Sequence, residues 1–201
     1  IMSNIRIGVY VCWCGTNIAK MVDVKQVAEA VGNMDDVVIS KDYKYMCSDP
    51  GQELIIKDIK EHKLNRVVVS ACSPRIHELT FRKALENAGL NAYLFQMANI
   101  REQVSWVHVN RKEATKKAIA LVRGAINRVR WHEPLEKRRV DVNPATLIIG
   151  GGIAGMSAAL EIARADKQVI LLEKEKELGG QLRFVNRTFP DFTPTSDFLE
   201  P

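Results

Sequence analysis

At 201 residues and 46% hydrophobic content, the chain can bury one large core or two small ones, which excludes a disordered tail. Its net charge of +5 comes from 29 basic residues interspersed with 24 acidic ones, with no single-sign block of the kind that grips nucleic acid, so no nucleic-acid role is expected. No apolar run approaches the roughly 18 residues of a membrane span, and the start, Ile1-Met-Ser-Asn-Ile-Arg-Ile7, lacks the features of a signal peptide, so a cytoplasmic protein is expected.

The apolar run Arg6 to Val11 reads as a strand ending in Cys12-Trp-Cys14-Gly15, followed by a helical pattern from Asp23 to about Val31. A second β-rich run, Asp36 to Ser40, leads through Tyr43 and Tyr45 to Cys47. The next helix runs to about His62, with Asp49 as the expected N-cap, Pro50 at the first helical position and Gln52 completing a capping box. The run Arg66 to Ala71 is a third strand, and Cys72-Ser73-Pro74 opens a helix that Gly89 ends. A fourth strand is expected over Ala92 to Gln96, then a short helical turn near Trp106. A long helix follows from about Lys112 to Arg130, with Ala118, Val122, Ala125 and Val129 on its apolar face. Strands alternating with helices predict an α/β fold with a parallel sheet. Residues 1–131 are expected as a small α/β domain, 132–144 as a charged linker around Pro134, and 145–201 as the start of a second domain.

In an open parallel sheet, ligands collect beyond the carboxyl ends of the strands. Cys12, Cys14, Cys47 and Cys72 all follow strands and are expected to face one another across that edge. Cys47 and Cys72 precede helix N-termini, where the positive end of the dipole is expected to lower their thiol pKa. Four converging thiolates suit a cubane iron–sulfur cluster or a structural zinc; simple burial as packing residues is the plainer alternative. Zinc sites usually draw on paired Cys-x-x-Cys knuckles, which are missing here, so iron–sulfur leads. His77 and Arg75, just after Cys72, are candidates for tuning such a site, and Trp13 for shielding or anchoring it. Trp106 and His108 read as core or domain-contact residues.

From Thr146 to Ile149 a strand enters Gly150-Gly-Gly152-Ile153-Ala154-Gly155, and a helix follows to about Arg164. This is a Rossmann-type phosphate cradle: Gly150 for the tight turn, Gly152 for close approach to a pyrophosphate, Gly155 for helix–strand packing. The next strand, Gln168 to Leu172, ends in Glu173, 18 residues beyond Gly155, where a ribose-binding acid is required. An acid followed by Lys174 and then the pair Gly179-Gly180 is the pattern of FAD-binding flavoproteins, which favours FAD over NAD. Two strands are too few for a doubly wound dinucleotide domain. The chain is therefore expected to be a piece of a longer protein or to be completed by another chain, and to be inactive alone. No side chain reads as a catalytic acid, base or nucleophile.

The blocks Cys12-Trp-Cys14-Gly-Thr-Asn17, Asp42-Tyr-Lys-Tyr-Met-Cys47-Ser-Asp-Pro-Gly51, Val69-Ser-Ala-Cys72-Ser-Pro-Arg75 and Met97-Ala-Asn-Ile-Arg-Glu-Gln103, with Ser105-Trp-Val-His108, resemble the N-terminal region of the A-type subunits of heterodisulfide reductase. These are iron–sulfur flavoproteins of methanogenic archaea and anaerobic bacteria. The resemblance implies a small α/β domain with a [4Fe–4S] cluster on Cys12, Cys14, Cys47 and Cys72, ahead of a thioredoxin-reductase-like FAD domain. It also implies an oxidoreductase that takes an electron pair at FAD and distributes single electrons through clusters, by flavin-based bifurcation in some complexes. Implied partners are B- and C-type heterodisulfide reductase subunits, a hydrogenase or formate dehydrogenase input subunit, ferredoxin, and a second copy of the full-length protein. Two departures stand out: Val104 occupies a position where many relatives carry cysteine, and no cysteine follows Thr188-Phe-Pro190. The rival readings are a pyridine nucleotide-disulfide oxidoreductase with a fused regulatory domain, which would need a redox cysteine pair in the flavin region, and a zinc-bearing scaffold module.

Overall fold

The computed structural model describes residues 5–199; residues 1–4, within the stretch read for a signal peptide, and residues 200 and 201 lie outside them. The chain divides into two units, Ile1–Lys137 and Arg138–Pro201.

In the first unit, β1 (Ile7–Cys12), β2 (Val37–Tyr43), β3 (Arg66–Ala71) and β4 (Phe95–Asn99) form one parallel sheet in the order β2-β1-β3-β4. Every residue of β1 is buried, as a central strand covered on both faces must be. Ile7, Val9 and Val11 enter a core built with α1 (Val24–Gly32) and α4 (Arg111–Val129). Tyr10 and Cys12 enter the opposite core with residues of α2 (Asp49–Glu61) and α3 (Pro74–Asn87), among them Ile55, Ile59, Phe81 and Leu85. The fold is doubly wound, and the direction of winding reverses between the neighbours β1 and β3. That reversal opens a crevice at their carboxyl ends.

The helix starts follow from local chemistry. The carboxylate of Asp23 accepts the Gln26 N–H at 3.1 Å, the Ser73 hydroxyl accepts that of Arg75 at 3.3 Å, and the Asn110 side chain accepts those of Lys112 and Glu113. The second helix departs from expectation. Ser48 is its N-cap and Asp49 its first residue, because the Ser48 hydroxyl donates to the Tyr45 carbonyl at 2.6 Å and turns the chain one residue earlier. Gln52 forms no capping box; its amide donates to the Cys47 carbonyl at 2.9 Å instead.

The fourth strand starts later than the 92–96 expectation. The side chain of Asn91 accepts the Tyr93 N–H at 3.0 Å and its carbonyl accepts that of Leu94 at 3.1 Å, a turn that holds the chain out of the sheet until Phe95. Beyond β4, Ser105 N–H bonds Ile100 O and Trp106 N–H bonds Arg101 O, a single π-helical turn over Arg101–Ser105. Such wide turns are frequent at functional sites. Residues 132–137 stay with the first unit: Leu135 O accepts from the Asn91 side chain and Lys137 pairs with Glu86 at 2.6 Å.

The second unit is a βαβ element: β5 (Thr146–Ile149), α5 (Ile153–Arg164) and β6 (Val169–Leu172), with β5 and β6 parallel and Ile149 opposite Leu172. A four-residue α6 (Ser196–Leu199) follows. The fold class is thus mixed α/β, with a parallel sheet in each unit and a Rossmann-type βαβ start in the second. Among the described residues, no helix is long and apolar enough to cross a membrane.

Candidate functional site

The sheet register aligns the strand ends in one row. Tyr43 lies opposite Cys12, Ser70 opposite Val11 and Asn99 opposite Ala71. Cys12 therefore ends β1, Cys72 follows β3 directly, Cys47 sits in the connection after β2, and Arg101 lies just past β4. All lie at the carboxyl edge of the sheet, where the winding reverses.

The two cysteine-bearing loops are zipped together by backbone bonds, Trp13 N–H to Tyr43 O at 3.0 Å and Gly15 N–H to Lys44 O at 3.2 Å. Trp13 anchors this zipper by donating its indole N–H to the Asp42 carboxylate at 2.6 Å. Cys14 holds a left-handed φ of 51°, uncommon for a residue with a side chain and a mark of functional positions. Gly51 is forced by close approach, since a Cβ there would meet Met46 O at 2.4 Å and keep the Cys47 loop from closing on α2.

Cys12 Sγ already accepts two backbone N–H groups, from Cys14 at 3.3 Å and Met46 at 3.4 Å. Bonds of this kind favour a thiolate. Even so, burial pushes the Cys12 thiol up, with the Met46 and Cys14 bonds opposing it. Burial likewise raises Cys47, and raises Cys72 to about 11 against the pull of the Arg101 charge. The expected dipole-lowered thiols are corrected on this point: desolvation of the charged form wins over the helix N-terminus. A ligand set that is mostly protonated when empty must release protons as it binds metal.

Arg101 is the residue that sequence reading missed. Its Nη1 donates to Cys14 Sγ at 3.3 Å, its charge also acts on Cys47 and Cys72, and Glu102 and the Trp106 ring hold its other sides. Trp106 is 59% exposed, so it is a platform for the guanidinium and not a core residue. His108 instead caps the wide turn through Val104 O at 2.8 Å. His77 shares a hydrogen bond with Thr80 and an edge-on ring contact with Phe81, and Arg75 contributes its backbone N–H to the cap of α3; among the described residues no contact with a cysteine is seen for either. Cys14 and Cys47 lie within electrostatic reach of each other and of both Cys12 and Cys72.

In the second unit Gly150 takes a φ of 107° and its N–H bonds Leu172 O at 2.8 Å, tying the turn to β6. A Cβ on Gly155 would lie 1.8 Å from Gly150 O, whereas one on Gly152 would meet nothing within 4 Å. That open space before a helix N-terminus is the cradle a pyrophosphate requires. Gly179 N–H bonds Gly151 O at 2.7 Å, and a Cβ on Gly180 would lie 3.4 Å from Gly152 Cα, so the glycine pair closes directly onto the turn. Glu173 accepts the N–H groups of Gly151 at 2.6 Å, Lys174 at 2.7 Å and Glu175 at 3.0 Å. These bonds, led by Glu175 and Gly151, hold its carboxyl below the usual range. Gly151, which the three-glycine motif ignores, is constrained too: a Cβ would strike Leu178 at 2.4 Å. Ile153 and Ala154 form the first helical turn, and the Lys174 ammonium points to Glu175 at 3.8 Å.

A family model described as an FAD binding domain matches residues 145–185. An iron–sulfur A-type subunit of CoB–CoM heterodisulfide reductase from Methanopyrus kandleri is 56% identical over 186 residues, 92% of this chain and 28% of the relative. Over nearly all of its length the chain is thus similar to a part of the heterodisulfide reductase A-type subunits. A protein of Archaeoglobus profundus named as like these subunits is 51% identical over 98% of the chain and 28% of that relative. The A-type subunit of the H2:CoB–CoM heterodisulfide, ferredoxin reductase from Methanothermobacter thermautotrophicus is 50% identical over the whole chain and 30% of that relative. The chain thus spans less than a third of the heterodisulfide reductase subunits it matches.

Proposed function

We propose that this chain is the cluster-bearing and flavin-entry portion of an electron-transfer subunit of heterodisulfide reductase type. On this reading Cys12, Cys14, Cys47 and Cys72 hold a [4Fe–4S] cluster, and the Gly150–Gly155 turn with Glu173, Gly179 and Gly180 holds the phosphates and ribose of FAD. One observation supports it: the four cysteines lie at the carboxyl edge of one sheet, with the backbone N–H groups of Cys14 and Met46 directed at Cys12 Sγ and the Arg101 guanidinium at Cys14 Sγ. When bound, FAD exchanges electron pairs and the cluster single electrons.

The chain's own part is positioning. The zipper between the Cys12–Gly15 and Tyr43–Cys47 loops fixes three ligands on one scaffold, and Cys72 is fixed by the end of β3. Gly152 leaves its backbone bare to anionic oxygen, while the helix dipole of α5 favours negative charge there.

The names of the relatives carry H2, ferredoxin and CoB–CoM heterodisulfide. On the proposed reading the full-length protein works in the cytoplasm as a homodimer with B- and C-type subunits, ferredoxin and a hydrogenase or formate dehydrogenase, with bifurcation at the flavin. Anaerobic purification with iron, sulfide and zinc analysis tests the metal assignment. About four irons with matching acid-labile sulfide per chain are expected for a cubane cluster. One zinc with no sulfide would sink it.

A further inference from the structure

We infer that Arg101 is a resident cation of the cluster site, a positioning residue that donates to the Cys14 thiolate and raises the reduction potential of the cluster. This rests on the cluster reading above. The geometry that carries it is independent of the cysteine spacing. Arg101 Nη1 lies 3.3 Å from Cys14 Sγ, and its side chain is 16% exposed.

Two neighbours fix it there. Glu102 Oε1 accepts from Nε at 3.1 Å and Nη2 at 2.7 Å, and the Trp106 ring lies 4.9 Å from the guanidinium carbon. The π-helical turn that carries these residues is pinned at both ends. Ile100 N–H bonds Ala71 O at 2.9 Å, one residue before Cys72, and the Ser105 hydroxyl bonds Asn17 O in the loop after Cys14. A flexible surface arginine would be held by none of these.

The physical consequence has a definite sign. One-electron reduction adds one unit of negative charge to a cluster already negative with its four thiolates. A fixed guanidinium at hydrogen-bond distance stabilises the reduced form more than the oxidised one, and in a partly buried site solvent screens little of that difference. The Glu102 carboxylate acts in the opposite direction, because it offsets part of the arginine's charge while orienting it.

The test compares the wild-type chain with Arg101→Met, Arg101→Lys and Glu102→Gln, each reconstituted anaerobically with iron and sulfide. Loading is checked by metal and sulfide analysis, and midpoints are read by EPR-monitored redox titration. Arg101→Met should keep its iron and shift the one-electron equilibrium at least tenfold toward oxidised, a fall of about 59 mV. Arg101→Lys, which keeps the charge but loses the fork, should fall between it and wild type. Glu102→Gln should move the midpoint upward.

Loaded variants with an unchanged midpoint would overturn the inference. Should Arg101→Met fail to load, the Lys and Gln variants decide, since a merely structural arginine predicts no opposed shifts from them. A wild-type chain that takes up no iron and sulfide would instead overturn the cluster reading, and the inference with it.

Discussion

At the scale of single residues, the glycine turn makes a sharp distinction between positions the same motif treats alike. Gly155 is fixed by the protein itself, because its Cβ would overlap Gly150 O, an atom held by the bond from Gly150 N–H to Leu172 O. Gly152 faces open space. Gly155→Ala should therefore destabilise the second unit by about 1–3 kcal/mol or more, as overpacking does. Gly152→Ala should change that stability by less than about 0.5 kcal/mol, yet weaken FAD binding by the full-length protein. Thermal melts and flavin-fluorescence titrations of the two variants check both halves; equal stability losses would refute the distinction. The structural roles of Gly150 and Gly155 were legible in sequence because they depend on local turn geometry. Those of Gly151 and Arg101 were not. Gly151 is constrained by Leu178 and Glu173 returning from the next strand, and Arg101 meets a sulfur 87 residues earlier in the chain.

At the scale of elements, α2 is tied to the sheet by a buried polar contact that periodicity could not reveal. Asp58 is 1% exposed; it accepts from the Tyr10 hydroxyl at 3.2 Å and pairs with Lys41 at 2.8 Å. Burial first, then the Asp58 charge and hydrogen bond, push the Tyr10 hydroxyl far above its ordinary value, so it remains a neutral donor. Removing the ammonium leaves a buried carboxylate with one neutral partner. Lys41→Met should cost about 1–3 kcal/mol, and adding Asp58→Asn, which removes the charge but keeps an acceptor for Tyr10, should recover most of it. Denaturant melts of the single and double variants measure the coupling; additive losses would show that the pair is not a unit. The element order itself was readable, because alternating apolar runs and cap residues are local signals. The start of β4 and the wide turn beyond it were set by Asn91 and by bonds to β3 and the Cys14 loop, which appear only when the strands are side by side.

At the scale of the whole molecule, the two units differ in how much they bury. The first wraps both faces of its sheet and conceals large side chains such as Tyr10, Phe81, Ile55 and Leu85 completely. In the second, α5 has no buried residue, and Ile149 and Leu172, opposite one another on β5 and β6, are 79% and 56% exposed. Leu182 is the one large apolar side chain buried there among the described residues. A βαβ element with uncovered apolar faces lacks the burial that offsets chain entropy. Amide protons of β1 and β3 should therefore exchange only on global opening, roughly a hundredfold or more slower than those of β5 and β6, which open locally. Hydrogen exchange read by mass spectrometry on the chain measures this directly. In full-length protein with FAD bound, β5 and β6 should gain protection while β1 and β3 change little, because ligand that binds only the folded form stabilises the unit that holds it. Equal exchange in both units of the isolated chain would mean that the glycine turn and its bonds to Glu173 and Gly179 suffice to hold the nucleotide cradle without further burial.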